Sequence, residues 1–457
     1  MNILILNVVG KLSDGRFVCA FPSRWDAGTA WKNPPYYMYE LAYLSTLLKR
    51  DLNGANVKLL DPNWHDYNWE ETALYAMEEM TPDILITECS ALTYPDMTKV
   101  MRRIKLGNYW KQEGVKAWLC GPYGANNEAK ALTDGWDMVF RGEYEQDILW
   151  ELQGWTRAQH TEAGLMHRTI PNALEPGWSL KKPYIDLDWL PFPEDQDISR
   201  ADYGEWSNPY PGMVQLYATR GCPLSCSFCV VPGYYGGHGH SFSSHRCRDI
   251  DNVCDEIEYL ARKYEGKFSG CFFNEETHNA NIEWFNTFAE TLIHRGLDKY
   301  RYDAMCGYWP FTEDSLRLAA RAGYCQIRIG IESTSENVGK KIGKRIIPEK
   351  LAHVLEWCKK YGIFVYGTTQ VGAPGSTFDS DIATLQTMQE LRQQGYIRTW
   401  QNSVSTPQPG TPMYSEALKE GRLLTEDVSQ YDGCHPVMNL PGYPADKIME
   451  AKRMFGA

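Results

Sequence analysis

Cys222, Cys226 and Cys229 crowd one short stretch, RGCPLSCSFCV (220–230), with three residues between the first pair and two between the second. Thiols clustered this closely in a long chain more often hold metal than each other. A structural zinc ion takes four protein ligands, and no fourth cysteine or histidine stands at comparably close spacing. Three cysteines on one loop suit an iron–sulfur cluster that leaves one iron open to a substrate or cofactor. A zinc loop and plain buried thiols remain the other readings. Further along, FFNEETHN offers two adjacent carboxylates, Glu275 and Glu276, and IRIGIES offers Glu332 and Ser333. The first pair could also be no more than the acidic first turn of a helix. His238, His240, His245 and Cys247 make a second metal-capable group, but histidines in a glycine-rich loop more often belong to a flexible active-site lid, here residues 232–242.

These residues need elements to position them. From the N-terminus, the apolar runs NILILNVV, ANVKLLD, DILITECS, KAWLCG and DMVFRG read as strands. Stretches of helical spacing separate them, among them YYMYELAYLSTLLKRD and NWEETALYAMEEM. Alternation at this pitch predicts a parallel, doubly wound Rossmann-like sheet over residues 1–155, with ligands at the carboxyl ends of its strands. Residues 156–205, rich in Pro and Asp, read as a linker packed across the surface. A second alternating region, 206–405, has strands in GMVQLYATRG, KFSGCFFN, RYDAMCGYW, CQIRIGIES and FVYGTTQVG. It predicts a full or partial (β/α) barrel with the cysteines at the end of its first strand. Residues 406–457 form a small, less regular C-terminal segment. The fold class is α/β.

Composition bounds the function. A charge of −12 makes free nucleic acid a poor partner and leans towards a small-molecule or peptide substrate. No stretch approaches the roughly 20 apolar residues of a membrane span. The start, MNILILNVVG, lacks the basic head and cleavage site of a signal peptide, so the expected location is the cytoplasm. Thirteen cysteines are too few for a disulfide scaffold in 457 residues. The 16 tryptophans read as core and pocket wall.

The C-x3-C-x2-C spacing, with Phe228 before the last cysteine, resembles the signature of the radical S-adenosylmethionine (SAM) enzymes. The resemblance continues through HRCRDIDNVCDEIEYL, FFNEETHN, IRIGIES, the turn TTQVGAPGSTFDSD and TPQPGTPMY, covering nearly all of 212–415. It implies that the three cysteines hold a 4Fe-4S cluster whose free iron binds SAM, and that an electron from a donor such as flavodoxin or ferredoxin cleaves SAM to a 5′-deoxyadenosyl radical. It implies SAM contacts for Glu275 or Glu276, Glu332 and Ser333, with Arg246 and Arg248 placed to meet a carboxylate.

The first domain resembles a cobalamin-binding domain. NPPYYMYELAYLSTLL, with Pro34 and Pro35, matches one segment. The CSALTY loop supplies Ser90, Leu92 and Thr93. GPYG supplies Gly121, Pro122 and Tyr123, although Cys120 replaces a usual glycine and the usual histidine is absent. RGEYE supplies Gly142 and Glu143. The combined resemblance is to the cobalamin-dependent radical SAM enzymes, most closely to methyltransferases acting on an unactivated carbon. A cyclase or rearrangement enzyme without net methyl transfer, a methylthiotransferase using Cys19, Cys89 and Cys120 for a second cluster, and a cobalamin-binding sensor are the rivals. The D-x-H-x-x-G loop of enzymes that place a histidine on cobalt is missing after the first strand. His65 lies elsewhere, and Ser90 to Tyr94 are expected to cover the lower face of the corrin instead.

Overall fold

The computed structural model describes residues 1–21, 24–32, 35–108, 114–154, 184–235 and 245–454. Five parallel strands make the first sheet: β1 (Asn2–Leu6), β4 (Asn56–Leu60), β5 (Ile84–Glu88), β6 (Lys116–Cys120) and β7 (Met138–Val139). Their spatial order is β4-β1-β5-β6-β7. The chain leaves β1 for one side and then returns to the other, so the order reverses between β1 and β5. Such a switch point opens a crevice at the carboxyl ends of the strands, where doubly wound sheets bind ligands. β1 and β5 are apolar on successive residues because both faces are covered. One face packs on Val100, Met101 and Ile104 of the helix Tyr94–Gly107, the other on Leu41, Leu44 and Leu48 of the helix Tyr39–Asp51.

Between β1 and the first helix lies an antiparallel hairpin, β2 (Phe17–Phe21) and β3 (Trp25–Thr29), which the sequence pattern did not reveal. Its Cys19 and Ala27 pack with Tyr36 against Phe272, a residue of the second sheet, so the hairpin bridges the two halves.

The second sheet has six parallel strands in strict sequential order: β8 (Met213–Leu216), β11 (Gly270–Phe273), β12 (Arg301–Cys306), β13 (Tyr324–Glu332), β14 (Phe364–Val371) and β15 (Thr399–Val404). Sequential parallel strands with a helix after each curve into a partial barrel. Alternate residues face the helices, among them Cys271, Phe273, Ala304, Ile327 and Ile329. The other set faces inward and includes polar side chains: Asp303 and Arg328 pair at 2.5 Å, and Arg328 also meets Glu205 at 2.6 Å. A two-stranded ribbon, β9 (Thr219–Arg220) and β10 (Arg246–Cys247), stands at the mouth of the barrel, and the cysteine loop leaves from it.

Of the stretch expected to link the domains, residues 184–205 are described. They strap across the first sheet, where Ile185, Leu187 and Leu190 join its core, and Arg200 reaches Glu256 on the barrel's first helix at 2.7 Å. Among the described residues no helix is long and apolar enough to cross a membrane.

Candidate active site

The cysteine loop is held from four directions. The Gly221 amide donates to Glu276 Oε2 at 2.9 Å. The Ser227 amide donates to the Ile342 carbonyl (2.9 Å), and the Ser227 carbonyl accepts from the Met413 amide (3.0 Å). Phe228 packs against Val338, Ile342 and Ala373. Cys226 is buried and its two companions half-buried, none of them in a disulfide. Burial pushes all three thiols up, Cys226 to about 12. Among the described residues, no three His, Cys, Asp or Glu side chains converge on a single ion.

Beside Cys226, β13 ends in a bulge against β14. Glu332 sits there with φ 63°, a left-handed conformation that a non-glycine residue adopts at a cost and that functional sites often retain. Its carboxylate receives Lys344 Nζ at 2.7 Å and Gln370 Nε2 at 2.8 Å. Gly330 makes this possible, because a Cβ there would stand 2.4 Å from Lys344 Nζ and 2.5 Å from Glu332 Oε1. Burial works against the Lys344 charge, but Glu332 and Cys226 outweigh it and hold the ammonium above its ordinary pKa. Lys344 and Gln370 lay outside the sequence reading. KRI and TTQVG carry no signal that marks either as a site residue.

The structure separates the two glutamates of FFNEETHN. Glu275 is turned inward, where Oε1 meets His278 Nδ1 at 2.6 Å and His278 Nε2 meets the Tyr324 hydroxyl at 2.7 Å. Glu276 turns towards the cysteine loop, and its Oε1 is buried with no hydrogen-bond partner. Ser333 is likewise turned away from the barrel mouth: its hydroxyl caps the Ser335 amide and meets Thr384.

Arg246, Arg248 and Glu143 each meet a partner within the protein. Arg248 pairs with Glu256 at 2.5 Å. Glu143 accepts from Arg246 and from Arg220, the latter at 3.2 Å, while Glu145 accepts from Arg220 at 2.7 Å. Burial would raise the Glu143 pKa, but the two arginines hold it below its usual value. The RGEYE turn of the first domain thus clasps Arg220, two residues before the first cysteine. Gly142, at φ 65°, brings the turn against the Tyr234 carbonyl, where a Cβ would come within 3.1 Å.

At the switch point of the first sheet lies a narrow cleft. Asn7 and Val8 come from the end of β1, Glu88, Cys89 and Ser90 from the end of β5, and Pro122 from the turn after β6. Phe21, Arg24 and Asp26 come from the hairpin, and Tyr36, Met38 and Glu40 from the approach to the first helix. Ser90 and Thr93 both donate to Asp26 at 2.6 Å, so the CSALTY loop is pinned to the hairpin. Gly121, at φ 88°, lies behind Glu88, whose Cγ would stand 2.5 Å from a Cβ.

Other residues expected around a corrin lie elsewhere. Leu92 and Tyr123 are in the sheet's core, with the Tyr123 ring against Tyr94 at 4.4 Å, because both positions face the helix Tyr94–Gly107. Pro35 is buried beside Tyr36, and Pro34 lies outside the described residues, as do His238, His240 and part of the 232–242 loop. Val231–Tyr235 is a short helix, and His245 Nε2 faces the Thr277 carbonyl at 3.1 Å. His65 is exposed and stacked on Tyr67, away from the cleft. Cys89 and Cys120 belong to opposite faces of the sheet and Cys19 to the hairpin, so the three do not gather as a second cluster would require.

The cleft is tied to the strand end that braces the cysteine loop. Arg24 lines the cleft and donates to the Asn274 side chain at 3.1 Å, at the end of β11 and two residues before Glu276.

The family model of the radical SAM superfamily matches residues 216–388. An uncharacterised methyltransferase from Pyrococcus horikoshii is 25% identical over 429 residues, 90% of this chain and 85% of that protein. The cytidylyl-2-hydroxyethylphosphonate methyltransferase of Streptomyces wedmorensis is 25% identical over 476 residues, 92% and 85% of the two chains. An anaerobic magnesium-protoporphyrin IX monomethyl ester cyclase from Cereibacter sphaeroides is 26% identical over 469 residues, 96% and 70%. Among solved structures, the radical SAM methyltransferase TsrM from Kitasatospora setae, with cobalamin and a 4Fe-4S cluster bound, superposes with a TM-score of 0.65. It shares 17% identity over 92% of this chain and 78% of its own, a likeness of fold.

Proposed function

We propose that this chain, which belongs to the radical SAM superfamily through residues 216–388, is a cobalamin-dependent methyltransferase acting on an unactivated carbon of a small molecule or peptide. The observation that supports this reading is the link between the switch-point cleft and the strand end that braces the cysteine loop, through Arg24, Asn274 and Glu276. When bound, the cluster with SAM supplies a hydrogen-abstracting radical and the corrinoid supplies a methyl group.

The residues present suit both groups. Cys222, Cys226 and Cys229 are three soft donors on one braced loop, which leaves one iron open. The unpartnered Oε1 of Glu276 is placed to accept from the SAM ammonium, a charge-assisted bond. Glu332, held by Lys344 and Gln370, orients the remainder of that ligand from the opposite side of the loop. In the cleft, apolar Val8, Phe21, Met38 and Pro122, a glycine behind the wall and no histidine among the described lining residues suit a macrocycle without a protein imidazole on its metal. The buried Arg220 clasp fixes the cysteine loop relative to the cleft, which a transfer between the two ligands requires. The electron comes from a small reductant protein such as flavodoxin or ferredoxin.

The test is anaerobic turnover with hydroxocobalamin, a reductant, SAM and a pool of candidate metabolites. A methyltransferase releases S-adenosylhomocysteine and 5′-deoxyadenosine in comparable amounts, with a product one methylene heavier. 5′-Deoxyadenosine alone, with no methylated product, would move the assignment to the cyclase-type reaction of the Cereibacter relative.

A further inference from the structure

Glu40, in the first turn of the helix Tyr39–Asp51, lines the cleft, yet it is only 2% exposed and neither carboxyl oxygen has a hydrogen-bond partner among the described residues. Burying a carboxyl without partners costs several kcal/mol, so a protein that keeps one generally supplies the partner as a ligand. The groups around it come from every neighbouring element. Glu88 lies on β5, Glu145 on the helix Glu145–Leu152, Arg220 on β9 and Glu276 after β11. Arg24 of the hairpin, Tyr217 after β8, and Tyr234 and Tyr235 of the helix after the cysteines also face it. Arg220 is clasped by Glu143 and Glu145, and its charge only partly offsets the burial of Glu40 and the repulsion from Glu88.

Resting on the cobalamin reading above, we propose that Glu40 reads a primary carboxamide on the edge of the bound corrinoid. One carboxyl oxygen accepts a hydrogen bond from the amide N–H, and the other, which carries the proton, donates its O–H to the amide carbonyl. The pairing follows from inventory: a neutral carboxylic acid offers one O–H and one C=O, and a carboxamide offers the complementary pair, so two adjacent hydrogen bonds form without placing a charge in the cleft. The surroundings favour that neutral form. Burial, followed by repulsion from Glu88, pushes the Glu40 carboxyl up to about 8. A ligand ammonium would demand the opposite state. A carboxylate here would add one more negative charge beside Glu88, Glu145 and Glu276, whereas the acid form adds none.

Equilibrium dialysis of the full-length protein against methylcobalamin in the dark, whose upper ligand does not titrate, tests this. Glu40→Ala should bind at least about tenfold more weakly, the loss of two hydrogen bonds. Glu40→Gln, which keeps one donor and one acceptor, should stay within about threefold of the wild type. Because the acid form does the binding, wild-type affinity should fall as the pH rises through about 8, while Glu40→Gln stays flat. Without corrinoid, neither variant should lower the unfolding midpoint, as it would if Glu40 were a structural group. Wild-type binding that tightens with rising pH, Glu40→Ala binding like the wild type, or Glu40→Gln losing SAM rather than methylcobalamin would each overturn the proposal. If the wild type takes up no methylcobalamin at all, the cobalamin reading falls with it. Uptake that is indifferent to Glu40 removes this inference alone.

Discussion

The cysteine loop draws its three thiols from positions 222 to 229, on one excursion of the chain. The cleft that faces it takes its lining from positions 7 to 122, gathered from two strand ends, a hairpin, a helix start and a turn. A cluster needs ligands at fixed short separations, so its spacing is written along the chain. A cleft for a broad ligand needs a shape, which a parallel sheet provides wherever its strand order reverses. The spacing of the first names its chemistry, and the topology of the second only provides room. The residues that give that room its character, Glu40, Glu88 and Arg24, are common types at unremarkable positions.

Breaking the connection between the regions should have the largest effect. Arg220 is 2% exposed and lies between Glu143 and Glu145. Arg220→Ala would leave the buried Glu145 without its cation and Glu143 with Arg246 alone, at a cost of about 3–5 kcal/mol. Chemical denaturation of the full-length protein should show that loss. A change under about 1 kcal/mol would mean that the clasp does not tie the regions together. A smaller effect, confined to the barrel side, is expected from Glu332→Gln. It removes the charge that Lys344 neutralises and should weaken SAM binding about tenfold, measured by calorimetry, while cobalamin uptake stays unchanged. Equal losses for both ligands would erase the distinction between the two sites.

Legibility in the sequence followed the same division. The five strands of the first sheet and five of the six barrel strands announce themselves as apolar runs, because each is covered by helices on at least one face. The sixth, Thr399–Val404, reads TWQNSV and shows little apolar alternation, since most of it is only half-buried at the sheet's edge. The hairpin Phe17–Thr29 was missed for another reason. Its strands are five residues each and its burial comes from the barrel, through Phe272, a tertiary contact that no local pattern encodes. The cysteines, Glu276 and Glu332 were visible as motif residues. The turning inward of Glu275, and the pairing of Arg246 with Glu143, depend on which neighbours the folded chain supplies. Lys344 became visible only once the turn after Ile342 carried it back to Glu332.

The central claim is that one chain holds two separately built sites, one for a cluster and one for a corrinoid. The direct test is metal analysis of protein reconstituted anaerobically with iron, sulfide and hydroxocobalamin, comparing the wild type with a variant in which Cys222, Cys226 and Cys229 are all alanine. The account predicts about four irons and about one cobalt per wild-type chain. In the variant it predicts loss of the iron with the cobalt retained. Wild-type protein that binds iron but no cobalt, or a variant that keeps its full iron, would contradict it.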